Sequence, residues 1–417
     1  MRQPASFWCI SLYIFFEYVR PQSIYLWLPQ IPYNKIALIG AAVFAVAEGK
    51  KIRWGAVETL LMVFLAVVLI SSTMAVFPTV SFDRLSEYTN WVFIYFLVAN
   101  AVETEGRFIV FVLFFMIWNF KMSAHGTKSW AADGFAFRDW GTGGAPGFFE
   151  NSGEFGIEMV IFSSMLLPWI VGLRPYWGKW KLYFWVGIGV TAVCGLVGSS
   201  SRGALIALAV VALMRLSQAK YKWRTLIGIV VVSGFVWFLM PAEAKERYTT
   251  IGQDETSLQR KQLWKEGIAM IQAYPTFGIG YRNWIAYHTF KFPDEQHLVP
   301  HNIFIECGAE LGYAGLFAFV ALIGANFVLN YRTRKMLKGR ANGRFMYLMT
   351  QGLDGALVGY LTAAMFVTVF YYPFFWINLA LSAALHNAAI HSIETTSAPP
   401  PPLVRRPTTA QARARLA

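Results

Sequence analysis

Ser199-Ser200-Ser201-Arg202-Gly203 stands at the head of an apolar run. Serines there can cap a helix, whose free N–H groups and dipole favour an anion, and Arg202 adds full charge. One reading is a phosphate site; the other is a capped helix whose Arg reaches lipid headgroups. Arg is disfavoured on the outer side of a membrane, which weighs toward the phosphate. A second pattern is Thr256-Ser257-Leu258-Gln259-Arg260-Lys261-Gln262-Leu263-Trp264. Thr256 and Gln259 have capping-box spacing, and Pro275 and Gly278 end the helical pattern. Arg260, Trp264, Ile268 and Ile271 share a face, so the helix is expected to lie on other helices. A guanidinium there can grip phosphate with two hydrogen bonds, or simply be solvated.

Further along, Gly278-Ile279-Gly280-Tyr281-Arg282-Asn283-Trp284 reads as a tight turn, with Arg282 as a second basic candidate and Tyr281 beside it. Pro300-His301-Asn302 precedes another apolar run. A His with an ordinary pKa near 6.5 can serve as general base at neutral pH, or can be a helix-end residue. His297 and His301 are four apart, but Pro300 between them opposes the helix that a metal pair needs, and no metal site is expected. Asn151 and Arg84 stand at the heads of other apolar runs, where capping and interfacial anchoring compete with a place in a cavity. Cys9, Cys194 and Cys307 are isolated, which suggests neither a disulfide framework nor a zinc site.

The elements that must position these residues are apolar. Only 14% of the 417 residues are charged and 56% are hydrophobic, whereas a soluble chain carries about 25% charged residues. Twelve apolar runs are long enough to be read as spans: near 6–28, 32–48, 57–77, 83–102, 107–122, 154–173, 180–198, 202–218, 223–240, 303–330, 345–369 and 372–391. Glu17, Arg20 and Pro21 interrupt the first. The net charge of +13 does not point to nucleic acid, because it clusters between apolar runs without stacking aromatics.

Lys50, Lys51 and Arg53; Arg174, Lys179 and Lys181; Arg215, Lys220, Lys222 and Arg224; and Arg332 to Arg344 fall on alternate connections. The side that collects them is expected to be cytoplasmic, with both termini there. The fold class expected is all-α, a polytopic membrane protein of about twelve spans. Its parts are 1–240 with a loop near 123–153, a large outer loop at 241–301, spans within 302–392, and a disordered basic tail at 393–417. Asp354 is the clearest charge inside a span, and the other spans read as largely clean in their middle.

Ser-Ser-Arg-Gly-Ala-Leu at 200–205, Gln-Arg-Lys-Gln-Leu-Trp at 259–264, Gly278-Ile-Gly280, Pro-His-Asn-Ile-Phe-Ile-Glu at 300–306 and Glu310-Leu-Gly-Tyr-Ala-Gly315 occur in order. In this order and on one face, they resemble the O-antigen ligase and polymerase family. The resemblance implies a bacterial inner-membrane glycosyltransferase of the GT-C type, metal-independent, inverting and without a cofactor. Its donor would be a glycan on undecaprenyl diphosphate at the periplasmic face, and its acceptor the lipid A-core. Related members polymerise repeat units or glycosylate proteins. The family's His and two Arg carry over to His301, Arg202 and Arg260, with Arg282 a rival for the second Arg. Arg282, Arg84, Asn302, Tyr281, Trp264 and Asn151 are the expected substrate contacts. A transporter for the same lipid-linked glycan is the non-enzyme alternative, and it would need polar residues lining several spans.

Overall fold

The computed structural model describes residues 3–25, 27–28, 31–137, 141–145, 149, 151–219, 221–239, 245, 255–293, 298–340 and 343–397. Among these residues the regular structure is helical. In order they form α1 (Ala5–Val19), α2 (Pro21–Ile24), α3 (Tyr33–Ala47), α4 (Ala56–Thr73), α5 (Pro78–Ala101), α6 (Glu105–Ala132), α7 (Ser152–Leu173), α8 (Lys179–Gly198), α9 (Arg202–Gln218) and α10 (Lys222–Leu239). Then follow α11 (Glu255–Ala273), α12 (Trp284–Lys291), α13 (Ile303–Leu337), α14 (Arg344–Ala363) and α15 (Pro373–Ser397). Each of the twelve apolar runs overlaps one of these helices, and the first overlaps two, α1 and α2. Five are long and apolar enough to cross a membrane by length and composition: Ala56–Thr73, Glu105–Ala132, Ser152–Tyr176, Lys179–Gly198 and Ile303–Leu337.

Burial runs opposite to that of a water-soluble globule. Ile36, Ile39 and Val43 of α3 and Val230, Val231 and Phe238 of α10 are exposed, whereas Asn119, Glu158, Asn326, Asn330, Asp354 and Asn378 are buried. A hydrocarbon surround favours this distribution: apolar side chains face lipid, and polar ones find partners inside. The expectation of spans clean in their middle is therefore corrected. Glu158 and several Asn side chains join Asp354 inside the bundle.

Three turns of a polar ladder join α13 to α15. Asn326 Nδ2 donates to Asn378 Oδ1 at 3.2 Å, Asn330 Nδ2 to Ser382 Oγ at 3.2 Å, and Thr333 Oγ1 lies 2.8 Å from His386 Nδ1. Asp354 of α14 completes the group. It accepts from Asn330 Nδ2 at 2.8 Å and from the Arg334 guanidinium. Its charge is thus matched within the bundle. Small residues bring α14 close to its neighbours, since a side chain at Gly352 would press on Pro168 of α7, and one at Gly359 on Val160 of α7 and Val211 of α9.

Several boundaries differ from the sequence expectation, each for a local reason. The first run breaks at Arg20, whose φ of 43° is left-handed, and Pro21 restarts a single turn. Helix α6 continues to Ala132, so the expected loop at 123–153 begins as helix and His125 is helical. Helix α15 runs through Ser397, so residues 393–397 are not tail; 398–417 lie outside the described residues. Helix α14 stops at Ala363 rather than near 369, which leaves 364–372 as an irregular strap before Pro373 opens α15.

The tenth run is two helical pieces, broken where Gly312 takes φ 66° and ψ −167°. A break would strand backbone groups inside apolar surroundings. Residues 275–280 supply the partners. Tyr313 N–H donates to Pro275 O at 2.7 Å and Ala314 N–H to Thr276 O at 3.2 Å, while Ala309 O and Glu310 O accept from Ile279 N–H at 2.9 Å and Gly280 N–H at 3.0 Å. Gly278, at φ 72°, has no room for a side chain, because a Cβ would overlap the Glu310 carbonyl. The large loop is thereby locked into the bundle at the kink.

Candidate active site

Helix α11 forms the outer wall of the site. Leu263, Met270 and Ile271 bury against Trp284, Tyr287 and Ala309 in a small core separate from the main one. Gly267 lets α11 approach Ile305 of α13 and the Trp284 ring. His288 of α12 is buried and lies 3.1 Å from Glu266 of α11, so it ties two helices together rather than standing on a loop. Two details of the expected helix change. Ile268 is exposed, and the buried stripe runs through Leu263, Gly267 and Ile271 instead. Thr256 falls within the described helix rather than ahead of it, and residues 251–254 lie outside the described residues.

At the start of the buried stripe, the Trp264 indole N–H donates to Pro300 O at 2.8 Å. That bond sets α11 against the segment carrying His301. Asn302 is buried and caps α13, its Oδ1 accepting from Phe304 N–H at 3.0 Å and Ile305 N–H at 3.3 Å. The cap, expected as a substrate contact, is occupied by backbone. His301 itself sits just outside the helix at φ 48°, a left-handed conformation that costs a non-glycine residue on the order of 1–3 kcal/mol. Its Nδ1 lies 3.0 Å from Thr368 Oγ1 on the strap. The ring nitrogen that can meet a substrate is therefore Nε2.

Burial pushes the His301 pKa down to about 4, and the positive charge of Arg260 pushes in the same direction. Two of the expected residues, on different elements, thus meet electrostatically. Arg202 opens α9 as expected. Ser201 caps the helix, its Oγ accepting from Ala204 N–H at 3.3 Å, and Ser200 adopts φ 52°. Next to Arg202, Gly203 lies against Phe366 of the strap. Phe366 and Thr368 are two residues apart, at most ~7 Å of extended chain. The strap thus touches both Gly203, the neighbour of Arg202, and His301.

Arg282 is held elsewhere. Its Nε donates to Glu87 Oε2 at 3.0 Å, and its guanidinium lies 3.9 Å above the Tyr371 ring. Burial lowers its pKa, but the charge of Glu87 outweighs this and the net shift is upward. Arg84 is 62% exposed and pairs with the same Glu87 at 2.9 Å. The backbone around Arg282 is anchored by Glu310, which accepts from Arg282 N–H at 2.9 Å, from Trp284 N–H at 3.0 Å and from the Tyr371 hydroxyl. Tyr281 is buried, edge-on to Tyr371 with ring centroids 5.2 Å apart, and its carbonyl accepts from Ser81 Oγ at 2.7 Å. Asn151 caps α7, its Oδ1 accepting from Glu154 N–H at 3.0 Å.

Thr368, Tyr371 and Glu87 are absent from the residues singled out in the sequence, and Glu310 stands there only as the start of a motif with no role given. Tyr371-Tyr372-Pro373 carried a signal, because Pro favours the first turn of a helix and so marks a break in the apolar run. Glu87, three residues after Arg84 on a helix, carried another. Among the described residues no three His, Cys, Asp or Glu side chains cluster as a metal site; Asp294, Glu295 and His297 lie outside those residues.

Residues 187–320 match the family model for O-antigen ligase. The match includes Arg202, Arg260, Arg282 and His301, and it supports the family that the short motifs resemble. No curated protein matches the chain.

Proposed function

We propose that this chain is a membrane glycosyltransferase of the O-antigen ligase type, acting at the periplasmic face of a bacterial inner membrane with about twelve spans in a GT-C arrangement. It takes a glycan from undecaprenyl diphosphate and joins it to a hydroxyl of the lipid A-core. The observation that carries this reading is His301, held by Thr368 and facing the charge of Arg260, two strap residues from the position that contacts Gly203 beside Arg202.

The chemistry asks for little else. The bond from the anomeric carbon to the diphosphate oxygen breaks as the acceptor oxygen attacks from the opposite side, inverting the centre. Diphosphate is a good leaving group, so the demands are charge stabilisation and orientation. Arg202 and Arg260 offset the departing charge. A His with a pKa near 4 is a weak base, so neutral His301 serves best by accepting a hydrogen bond from the hydroxyl and aiming it, with proton transfer late in bond formation. No metal or nucleotide is required. The transporter alternative needs a polar path; the polar groups of α13, α14 and α15 bond one another instead.

The test is transfer by purified protein from a lipid-linked glycan to lipid A-core, without added metal or nucleotide. Transfer that disappears in His301→Ala and in Arg202→Ala supports the reading, and transfer retained in both sinks the site. A ladder of products still on the carrier lipid would make the enzyme a repeat-unit polymerase.

A further inference from the structure

The strap 364–372 meets three parts of the site in chain order. Phe366 lies against Gly203, Thr368 bonds His301, and Tyr371 lies beneath Arg282. Past Tyr371 a cavity of about 320 Å³ opens between the strap and helices α1, α3 and α5. That volume is at the lower end of the ~300–1,000 Å³ typical of ligand pockets. Its wall includes Glu17, Asn34, Glu87, Trp91, Arg282 and Tyr372.

Arg20, Lys35 and Arg282 are the cations of this wall, and two of them, Arg20 and Arg282, face carboxylates. Glu17 lies 3.3 Å from Arg20 and accepts from Asn34 Nδ2 at 3.2 Å, while Glu87 takes Arg282 and Arg84. A phosphate entering here would compete with Glu17 and Glu87 for both guanidinium groups and would keep only Lys35 to itself, which disfavours an anion. It suits a neutral polyol: carboxylate and amide edges accept from and donate to hydroxyls, and half-buried Trp91 and Tyr372, the latter stacked on Phe374, add aromatic surface to the lining. A pyranose ring presents the matching surfaces, hydroxyls at its rim and C–H bonds on its faces.

We propose that this cavity holds a sugar of the acceptor glycan, and that Arg282 belongs to it rather than to the diphosphate. The inference rests on the transferase reading, which assigns the donor diphosphate to Arg202 and Arg260. Along the strap the cavity follows His301, while the contact beside Arg202 precedes it. Inversion brings nucleophile and leaving group to the anomeric carbon from opposite sides, so the side away from Arg202 is the acceptor's. Four residues separate Thr368 from Tyr372, at most ~14 Å of chain, which keeps the bound sugar near the His301 ring.

The experiment has a kinetic and a binding arm. In the first, Trp91→Ala and Glu87→Gln raise the acceptor KM about tenfold or more while the donor KM stays within about twofold. In the second, de-acylated lipid A-core oligosaccharide without donor raises the melting temperature of the wild type and of Trp91→Phe, but not of Trp91→Ala. Tyr372→Leu repeats both arms on the second ring should Trp91→Ala fail to fold. A rise in donor KM with acceptor KM unchanged overturns the inference. Should the wild type transfer nothing, the transferase reading falls and the binding arm still decides. Stabilisation lost in the ring variants keeps the cavity as a sugar site; equal stabilisation in wild type and variants, or none in either, overturns it.

Discussion

Two regions of this molecule each gather Arg, His and a carboxylate, and they treat them differently. In the helix-borne group, Arg334, His386 and Asp354 sit on regular helices, and Asn330, Thr333 and Ser382 complete their hydrogen bonds. At the loop end, Arg282 and His301 stand on left-handed backbone, as does Ser200 beside Arg202. Charges that satisfy one another on helices hold a bundle together. At the loop end the strap and the docked helix position these groups instead, and His301 keeps one ring nitrogen beyond its bond to Thr368. The shared residue types therefore say little; the partners each group meets distinguish the two regions.

The largest expected effect breaks the comparison directly. His301→Ala should lower transfer by about 10²–10⁴-fold with the thermal midpoint nearly unchanged. A collapse of the midpoint would move His301 into the structural group. Asp354→Ala should do the reverse. Removing it leaves the half-buried Arg334 charge without its carboxylate, at a cost of roughly 3–5 kcal/mol, while the protein that remains folded keeps its turnover. Unfolding in denaturant measures this, and unchanged stability would end the structural assignment.

Gly278→Ala tests what locks the loop to the kink. Its positive φ and the overlap with Glu310 should cost about 1–3 kcal/mol, seen as faster proteolysis within residues 275–293. The pH profile sharpens the electrostatics. Neutral His301 is the working form, so the acid limb of kcat/KM should lie near pH 4, well below that of an ordinary His. Arg260→Gln removes one of the two causes and should move the limb upward by about one unit or less, since burial is the larger cause. An unshifted limb would separate Arg260 from His301. For stability the sign is that of a His with a lowered folded pKa. Its contribution is present above the unfolded value near 6.5 and is lost as pH falls toward 4. The smallest effect is expected at Asn302→Ser, which keeps a capping oxygen and should cost only a few tenths of a kcal/mol. A raised donor or acceptor KM there would return Asn302 to the substrate contacts.

Much was legible before any coordinates. Long apolar runs require helices because backbone polar groups in lipid need partners within their own segment, and every one of the twelve runs carries helix. Local rules also located Ser201 at a helix start and the end of α11 before Pro275. What the sequence could not decide was adjacency. Arg260 and Arg282 look equivalent as basic residues on one loop, yet one lowers the His301 pKa and the other is paired with Glu87 nearly two hundred residues away in sequence. Asn302 and Asn151 read as site residues or caps with equal ease, and backbone N–H groups occupy both. The strap was hidden inside an apolar run, because its role depends on what Phe366, Thr368 and Tyr371 touch rather than on their hydropathy. Periodicity determines which face of a helix is apolar. Only packing decides which distant charge stands opposite, and with it whether an Arg is a partner for a carboxylate or for a diphosphate.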